Sequence, residues 1–161
     1  MSILVACIGN IFQGDDAFGC EVAKVLTKRP PPNGVRIVDF GIRGLDLAYA
    51  LLDAPDLTIL VDSVSRGGEP GTLYTIEPDL DEGSVGEQTV DAHSMDPLRV
   101  LRSVKAMGGR LKRLLLVGCE PADLGGEEGR MGLTPPVSGA IEPAAVMVQS
   151  LIERELERVQ Q

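Results

Sequence analysis

The sequence predicts an α/β fold with three layers, α/β/α, built on a doubly wound, mostly parallel sheet of five strands. Two observations lead to this prediction. Short apolar runs alternate along the chain with longer segments whose apolar residues recur at helical spacing. Several of the short runs are apolar at every position, which is typical of strands that helices cover on both faces. The 161 residues contain no internal repeat, so residues 1–161 are expected to form a single domain.

The apolar runs define five predicted strands: residues 3–8, 35–38, 57–61, 72–76 and 114–117. The second run alternates apolar and polar residues, so we expect it nearer an edge of the sheet than the first, third and fifth runs. Only ten residues separate the third run from the fourth. Ten residues are too few for a helical crossover between parallel strands. The fourth strand is therefore predicted to be antiparallel to the rest.

Helical periodicity fills most of the gaps between these strands. The first helix begins near Phe18 and must end before the prolines of "PPPNG", and a short second helix covers residues 45–52. Asp96 can cap a third helix, with Pro97 in its first turn, and a last helix begins near residue 141. The glycine-rich segment "GGEEGRMG" has no periodicity, and we expect a mobile or partner-contacting loop there.

Charge and composition exclude several classes of function. The chain has 15 basic and 24 acidic residues, a net charge of −9, which disfavours binding to nucleic acid. No apolar run approaches the roughly 20 residues that a membrane span requires, and the N-terminus lacks the basic region of a signal peptide. Three isolated cysteines, at positions 7, 20 and 119, fit a reducing cytosol and are expected to pack as small apolar side chains.

The stretch "IGNIFQGDDAFG" follows the first predicted strand. Its glycines, Gly9, Gly14 and Gly19, are compatible with a phosphate-binding loop, but their spacing is G-x4-G-x4-G rather than that of either common phosphate motif. The adjacent carboxylates of Asp15 and Asp16 would also repel a phosphate. A positively charged ligand is therefore the better prediction.

Three side chains are predicted to meet at the carboxyl edge of the sheet, where open α/β sheets bind ligands. Asp16 precedes the first helix, Asp62 ends the third strand, and His93, the only histidine, lies in a loop before the third helix. Taken singly, each has an ordinary explanation: a carboxylate at a helix N-terminus, a strand-end loop cap and a surface histidine. Two carboxylates and one imidazole at a common edge instead favour a divalent metal site with open positions.

Five blocks of sequence occur in order along the chain: "ILVACIGNIFQGDDAFG", "VDFGIRGLDL", "ILVDSV", "DAHSMDP" and "GLTPPV". Together they resemble the hydrogenase maturation endopeptidases, cytoplasmic enzymes that trim the C-terminal extension from the nickel-loaded large-subunit precursor of [NiFe]-hydrogenase. The resemblance implies that Asp16, Asp62 and His93 contact the metal. It implies that the nickel arrives with the substrate, so that no permanently bound cofactor is expected. It also implies a cytoplasmic protein, which we expect to be a monomer.

Asp39, in "VDFG", corresponds in this resemblance to an aspartate that the family follows with two glycines. A catalytic or substrate-orienting role for Asp39 and a simple turn-stabilising role are about equally compatible with the sequence. Phe40 stands where the family has the first glycine, and we expect its ring to add bulk beside the site.

Two other functions remain open at this point. A different peptidase or an amidase could use the same scaffold. A phosphoacceptor receiver domain also has an early acidic pair and an Asp that ends the third strand. However, receivers need a Lys at the end of the fifth strand, where this chain has "VGCEPA".

Overall fold

The computed structural model describes residues 1–79 and 95–160, and these residues form five strands and five α-helices around one sheet. The strands are β1 (Ile3–Ile8), β2 (Val35–Gly41), β3 (Leu57–Ser63), β4 (Leu73–Ile76) and β5 (Arg113–Cys119). The helices are α1 (Phe18–Leu26), α2 (Gly44–Leu52), α3 (Pro97–Ala106), α4 (Pro135–Ser138) and α5 (Ile141–Val159). A 3-10 turn, Gly14–Ala17, leads directly into α1.

The sheet has the order β2-β1-β3-β5-β4. Strand β1 is parallel to both β2 and β3, and β3 is parallel to β5. Strand β4 pairs with β5 in the antiparallel direction, and β2 lies at the opposite edge. The predicted α/β fold is confirmed, together with its antiparallel fourth strand and the edge position of the second.

Helices cover both faces of the sheet. On one face, Phe18 and Val22 of α1 and Val148 and Ile152 of α5 pack on alternate residues of the central strands. On the other face, a second apolar cluster joins the sheet to α2 and α3 through side chains such as Leu47. Because β1 and β3 contribute to both clusters, their residues are apolar at successive positions, which explains why their extents were readable from sequence.

The helix boundaries follow from local chemistry. The Asp96 side chain accepts a hydrogen bond from the Leu98 backbone N–H at 3.0 Å, and Pro97 occupies the first turn of α3, as predicted. The sequence analysis missed α4. Its two prolines occupy the first turn of the helix, where proline is tolerated. No described helix is both long enough and apolar enough to cross a membrane.

The expectation for Phe40 was wrong. The pairing of β1 with β2 is irregular at this point, because Cys7 lies opposite Asp39 and the next residue, Ile8, lies opposite Gly41. Phe40 is the extra residue, and its ring is only 4% exposed in the cluster beneath α2 and α3. Its bulk therefore fills the core instead of narrowing the site.

Candidate active site at the carboxyl edge of the sheet

Gly19 allows α1 to begin directly against the carboxyl ends of two strands. A Cβ atom at this position would collide with the backbone carbonyl of Ile8, at the end of β1, and would lie 2.5 Å from that of Val61 in β3. Only a glycine tolerates this approach of helix to sheet. The close packing places the 3-10 turn that carries Asp16 beside the end of β3, where Asp62 is located.

The Asp16 carboxylate is fixed by a hydrogen bond to each of its oxygens. The Asn10 backbone N–H donates to Oδ2 at 3.0 Å, and the Ser63 hydroxyl donates to Oδ1 at 2.9 Å. Ser63 directly follows Asp62, and its backbone N–H donates to Asp62 Oδ1 at 2.8 Å. One serine therefore holds both carboxylates. The sequence analysis missed Ser63, and its position next to Asp62 was the only available signal.

Asp62 is the more buried of the two carboxylates, with 7% of the residue exposed. Burial raises the pKa of Asp62 well above its ordinary value, and the nearby Asp16 carboxylate raises it further. The hydrogen bond from the Ser63 N–H opposes this increase, whereas the Asp96 carboxylate at the start of α3 adds to it. The structure therefore brings Asp16 and Asp62 together at an edge that disfavours additional negative charge and favours a cation.

Asp15, the other member of the acidic pair, has a structural role. It is fully buried, and its Oδ2 accepts hydrogen bonds from the backbone N–H groups of Ala122 and Asp123 at 2.8 and 2.9 Å. The Thr134 N–H donates to Oδ1 at 2.8 Å, and the Thr134 hydroxyl contacts both oxygens. Burial opposes ionisation, but these donors outweigh it and lower the pKa of Asp15.

The glycine-rich loop after β5 is more ordered than the sequence analysis expected. Its Arg130 forms a parallel bridge with Gln13, in which the Gly14 N–H donates to the Arg130 carbonyl at 2.8 Å and the Arg130 N–H donates to the Phe12 carbonyl at 2.9 Å. The sequence analysis expected a mobile or partner-contacting loop, and partner contact stays a prediction, although these hydrogen bonds join the loop to the rest of the fold. Its backbone is joined to the segment that leads into the Asp16 turn.

Asp39 lies at the end of β2, one strand away from Asp16. Its side chain is exposed and accepts a hydrogen bond from the Gly41 N–H at 2.9 Å, which is the turn-stabilising contact considered in the sequence analysis. Its carboxylate also faces the buried thiol of Cys20 in α1. Burial, followed by the Asp39 charge, raises the pKa of Cys20 to about 12. All three cysteines are free and buried, as expected for packed side chains.

His93 lies outside the described residues. The described chain resumes with Met95, whose side chain lies near Gly44 at the start of α2, and with Asp96, whose charge acts on Asp62. Within residues 1–79 and 95–160, no group of three or more His, Cys, Asp or Glu side chains is arranged to hold a metal ion. The described part of the predicted metal site consists of Asp16 and Asp62.

Comparison with known proteins places this arrangement in a family. The family model for hydrogenase maturation proteases matches residues 20–151. The hydrogenase 2 maturation protease of Escherichia coli K12 is 33% identical over 149 residues, covering 92% of this chain and 88% of that protein. The hydrogenase expression/formation protein HupD of Bradyrhizobium diazoefficiens is 35% identical over 143 residues, covering 88% of this chain and 73% of HupD.

The structural comparison agrees. The solved structure of the hydrogenase maturating endopeptidase HybD from E. coli matches with a TM-score of 0.80 and 29% identity, covering 96% of this chain and 94% of HybD. These findings confirm the resemblance and the fold predicted from sequence, and they favour a peptidase over a receiver domain. The chain is therefore a peptidase that belongs to the hydrogenase maturation protease family.

Proposed function

We propose that this peptidase removes the C-terminal extension of a nickel-loaded [NiFe]-hydrogenase large-subunit precursor. The observation that carries the proposal is the pairing of Asp16 and Asp62 at the carboxyl edge of the sheet, joined through Ser63. Two neighbouring carboxylates repel each other, and a divalent cation placed between them relieves this repulsion. Nickel held by the precursor is such a cation.

In this proposal Asp16, Asp62 and His93 contact the nickel of the substrate. His93 precedes Asp96 by three residues, and three residues of extended chain span at most about 11 Å. Because the Asp96 charge acts on Asp62, this short connection supports a role for His93 at the same edge. A ligand set of two carboxylates and one imidazole leaves positions for ligands that the precursor supplies.

The chemistry follows from where these groups lie. Contact with the nickel of a correctly loaded precursor positions the adjacent peptide bond at the edge of the sheet, and positioning alone can supply a large part of a rate acceleration. Asp39, exposed one strand away, is our candidate for orienting the peptide or the attacking water. Precursor without nickel lacks the attraction to Asp16 and Asp62 and is not positioned for cleavage.

The proposal also assigns a cellular context. In line with the family resemblance, we propose that the enzyme acts in the cytoplasm after nickel insertion into the precursor, as a monomer without a metal of its own. A different peptidase or amidase activity on the same scaffold is the alternative. It would not depend on the metal content of the precursor.

The direct test is mass spectrometry of a purified large-subunit precursor, with and without nickel, before and after incubation with the enzyme. We expect loss of the C-terminal extension only from the nickel-loaded form. Asp16→Asn and His93→Ala should retain the fold but lose processing, whereas Asp53→Asn, an exposed carboxylate at the end of α2, should process normally. Efficient cleavage of nickel-free precursor would refute the metal-reading step.

A further inference from the structure

Two large apolar side chains are exposed beside the active-site edge. Phe12 precedes the 3-10 turn that contains Asp16, and Met131 belongs to the loop after β5. Their exposed fractions are 61% and 68%, and, unlike an isolated exposed side chain, the two lie together on the lining of one cavity. We refer to Phe12 and Met131 as the apolar rim.

The backbone holds the apolar rim in a fixed position. The hydrogen bonds that join Arg130 to Phe12 and Gly14 connect the two loops directly beside both apolar residues. The Arg130 guanidinium in turn pairs with Asp123 at 3.0 Å, and the Asp15 N–H donates to the Asp123 carbonyl. Because the two loops are joined, Phe12 and Met131 are presented together to solvent. Binding of a partner would therefore cost little conformational entropy for ordering these loops.

Two cavities flank Met131. One, of about 350 Å³, is lined by Phe12, Met131 and the neighbouring loop residues Glu127 and Glu128. The other, of about 340 Å³, lies between Met131, Ile11 and the first turns of α1. Apolar ridges with a cavity on each side are suited to anchoring bulky side chains of a partner.

The charges around the apolar rim define the partner further. Glu127 and Glu128 line the first cavity, and the one cationic side chain among its lining residues, Arg130, is already paired with Asp123. The whole chain carries a net charge of −9. A segment that carries Lys or Arg next to its apolar anchor is therefore favoured over an acidic one.

We propose that the apolar rim docks a segment of the substrate precursor that presents a bulky apolar side chain next to a Lys or Arg. This inference rests on the proposed function, because it takes the precursor as the partner. Phe12 lies four residues before Asp16, and four residues of chain span at most about 14 Å. A docked segment would thus be continuous with the peptide bound at Asp16 and Asp62.

The test compares processing kinetics of Phe12→Ser and Met131→Ser with those of wild type on nickel-loaded precursor. We expect kcat/KM to fall about tenfold for each variant because KM rises about tenfold while kcat is nearly unchanged. This is the pattern expected when an interface anchor is removed. Met107→Ser is the matched control. Met107 is 61% exposed but follows the C-terminal end of α3, in the connection to the start of β5 and away from the carboxyl ends of the strands. Its variant should therefore match wild type.

Charge reversal in the loop after β5 tests whether the docked precursor segment carries a Lys or Arg next to its apolar side chain. Glu127→Lys with Glu128→Lys should raise KM several-fold at low salt, and the effect should shrink as ionic strength increases. The control pair, Glu153→Lys with Glu157→Lys on the outer face of α5, makes the same change in net charge away from the site. Thermal unfolding of every variant within about 2 °C of wild type would confirm that folding is unaffected, since exposed substitutions change stability little.

The two proposals fail in different ways. If wild-type enzyme does not process the precursor at all, the proposed function fails. If wild type processes it and the rim variants keep wild-type KM, or lose kcat alone, the docking proposal is refuted and the proposed function stands. A concentration-dependent dimer of wild type that Phe12→Ser abolishes in sedimentation velocity would also overturn docking, because it would assign the rim to a second copy of the chain.

Discussion

Replacing Asp15 by Asn should destabilise the protein strongly, although the neighbouring change Asp16→Asn should not. The Asp15 carboxylate accepts three backbone N–H donors and one hydroxyl in a site without solvent exposure. An amide oxygen can satisfy Ala122 and Asp123, but the NH2 group must then face the Thr134 N–H. The Thr134 hydroxyl can rotate to accept from the amide, whereas the backbone N–H cannot.

The cost can be worked from these contacts. One unsatisfied buried N–H costs about 2 kcal/mol, and the two remaining bonds lose about 1 kcal/mol each when their acceptor is no longer charged. Relief from burying a charge offsets about 1 kcal/mol, which leaves a loss of about 3 kcal/mol. For a chain of this length, each kcal/mol lowers Tm by about 2–4 °C, so the expected decrease is roughly 6–12 °C.

The assay is thermal unfolding followed by circular dichroism from pH 7 to pH 3. Because the folded pKa of Asp15 is lowered, its stabilisation is present above the unfolded pKa, about 3.9, and is lost as pH falls through the folded pKa. The difference between wild type and Asp15→Asn should therefore shrink at the acid end. A Tm for Asp15→Asn within 2 °C of wild type at pH 7 would refute the assigned role.

Three further predictions follow from other parts of the site. Asp62→Asn should abolish processing yet raise the free energy of unfolding at pH 7 by about 1 kcal/mol, because burial and the Asp16 charge disfavour the ionised Asp62 carboxylate. An unchanged or lowered Tm would contradict this. Gly19→Ala should cost several kcal/mol or prevent folding, since its Cβ would collide with the Ile8 carbonyl; a soluble variant of normal Tm would show that α1 can shift. Iodoacetamide at pH 8 should leave the folded protein unmodified in mass spectrometry but alkylate it in urea, because all three cysteines are buried and burial raises the pKa of each thiol, that of Cys20 to about 12. Rapid labelling without denaturant would contradict this.

The sheet was predictable because its strands carry their own signal. Continuous apolar runs such as residues 3–8 identify a strand without reference to any other part of the chain. The antiparallel direction of β4 followed from the length of one connection, and the start of α3 followed from Asp96 and Pro97. In each case the deciding residues lie within a few positions of one another.

The division of roles within the site was not predictable, because it depends on distant partners. Asp15 and Asp16 are identical neighbours in the sequence, yet Asp15 is held by Thr134, 119 positions away, whereas Asp16 is held by Ser63, 47 positions away. The order of the loop after β5 was missed for a similar reason. Its glycines indicated flexibility, but Gly129, with φ +74°, shapes the turn that returns the chain to Phe12.

The two adjacent aspartates together explain how an acidic edge can remain both folded and receptive to a cation. Asp15 is saturated with donors and ties the loops after β5 to the turn before α1, so it stabilises the very segment that carries Asp16. The hydrogen bonds from Asn10 and Ser63 orient the Asp16 and Asp62 carboxylates, and the Asp16 charge still raises the pKa of Asp62. If one carboxylate had to do both tasks, the donors that stabilise the fold would occupy the lone pairs that a cation needs. The separation of these tasks leaves Asp16 and Asp62 at the carboxyl edge in the arrangement that the proposed function requires.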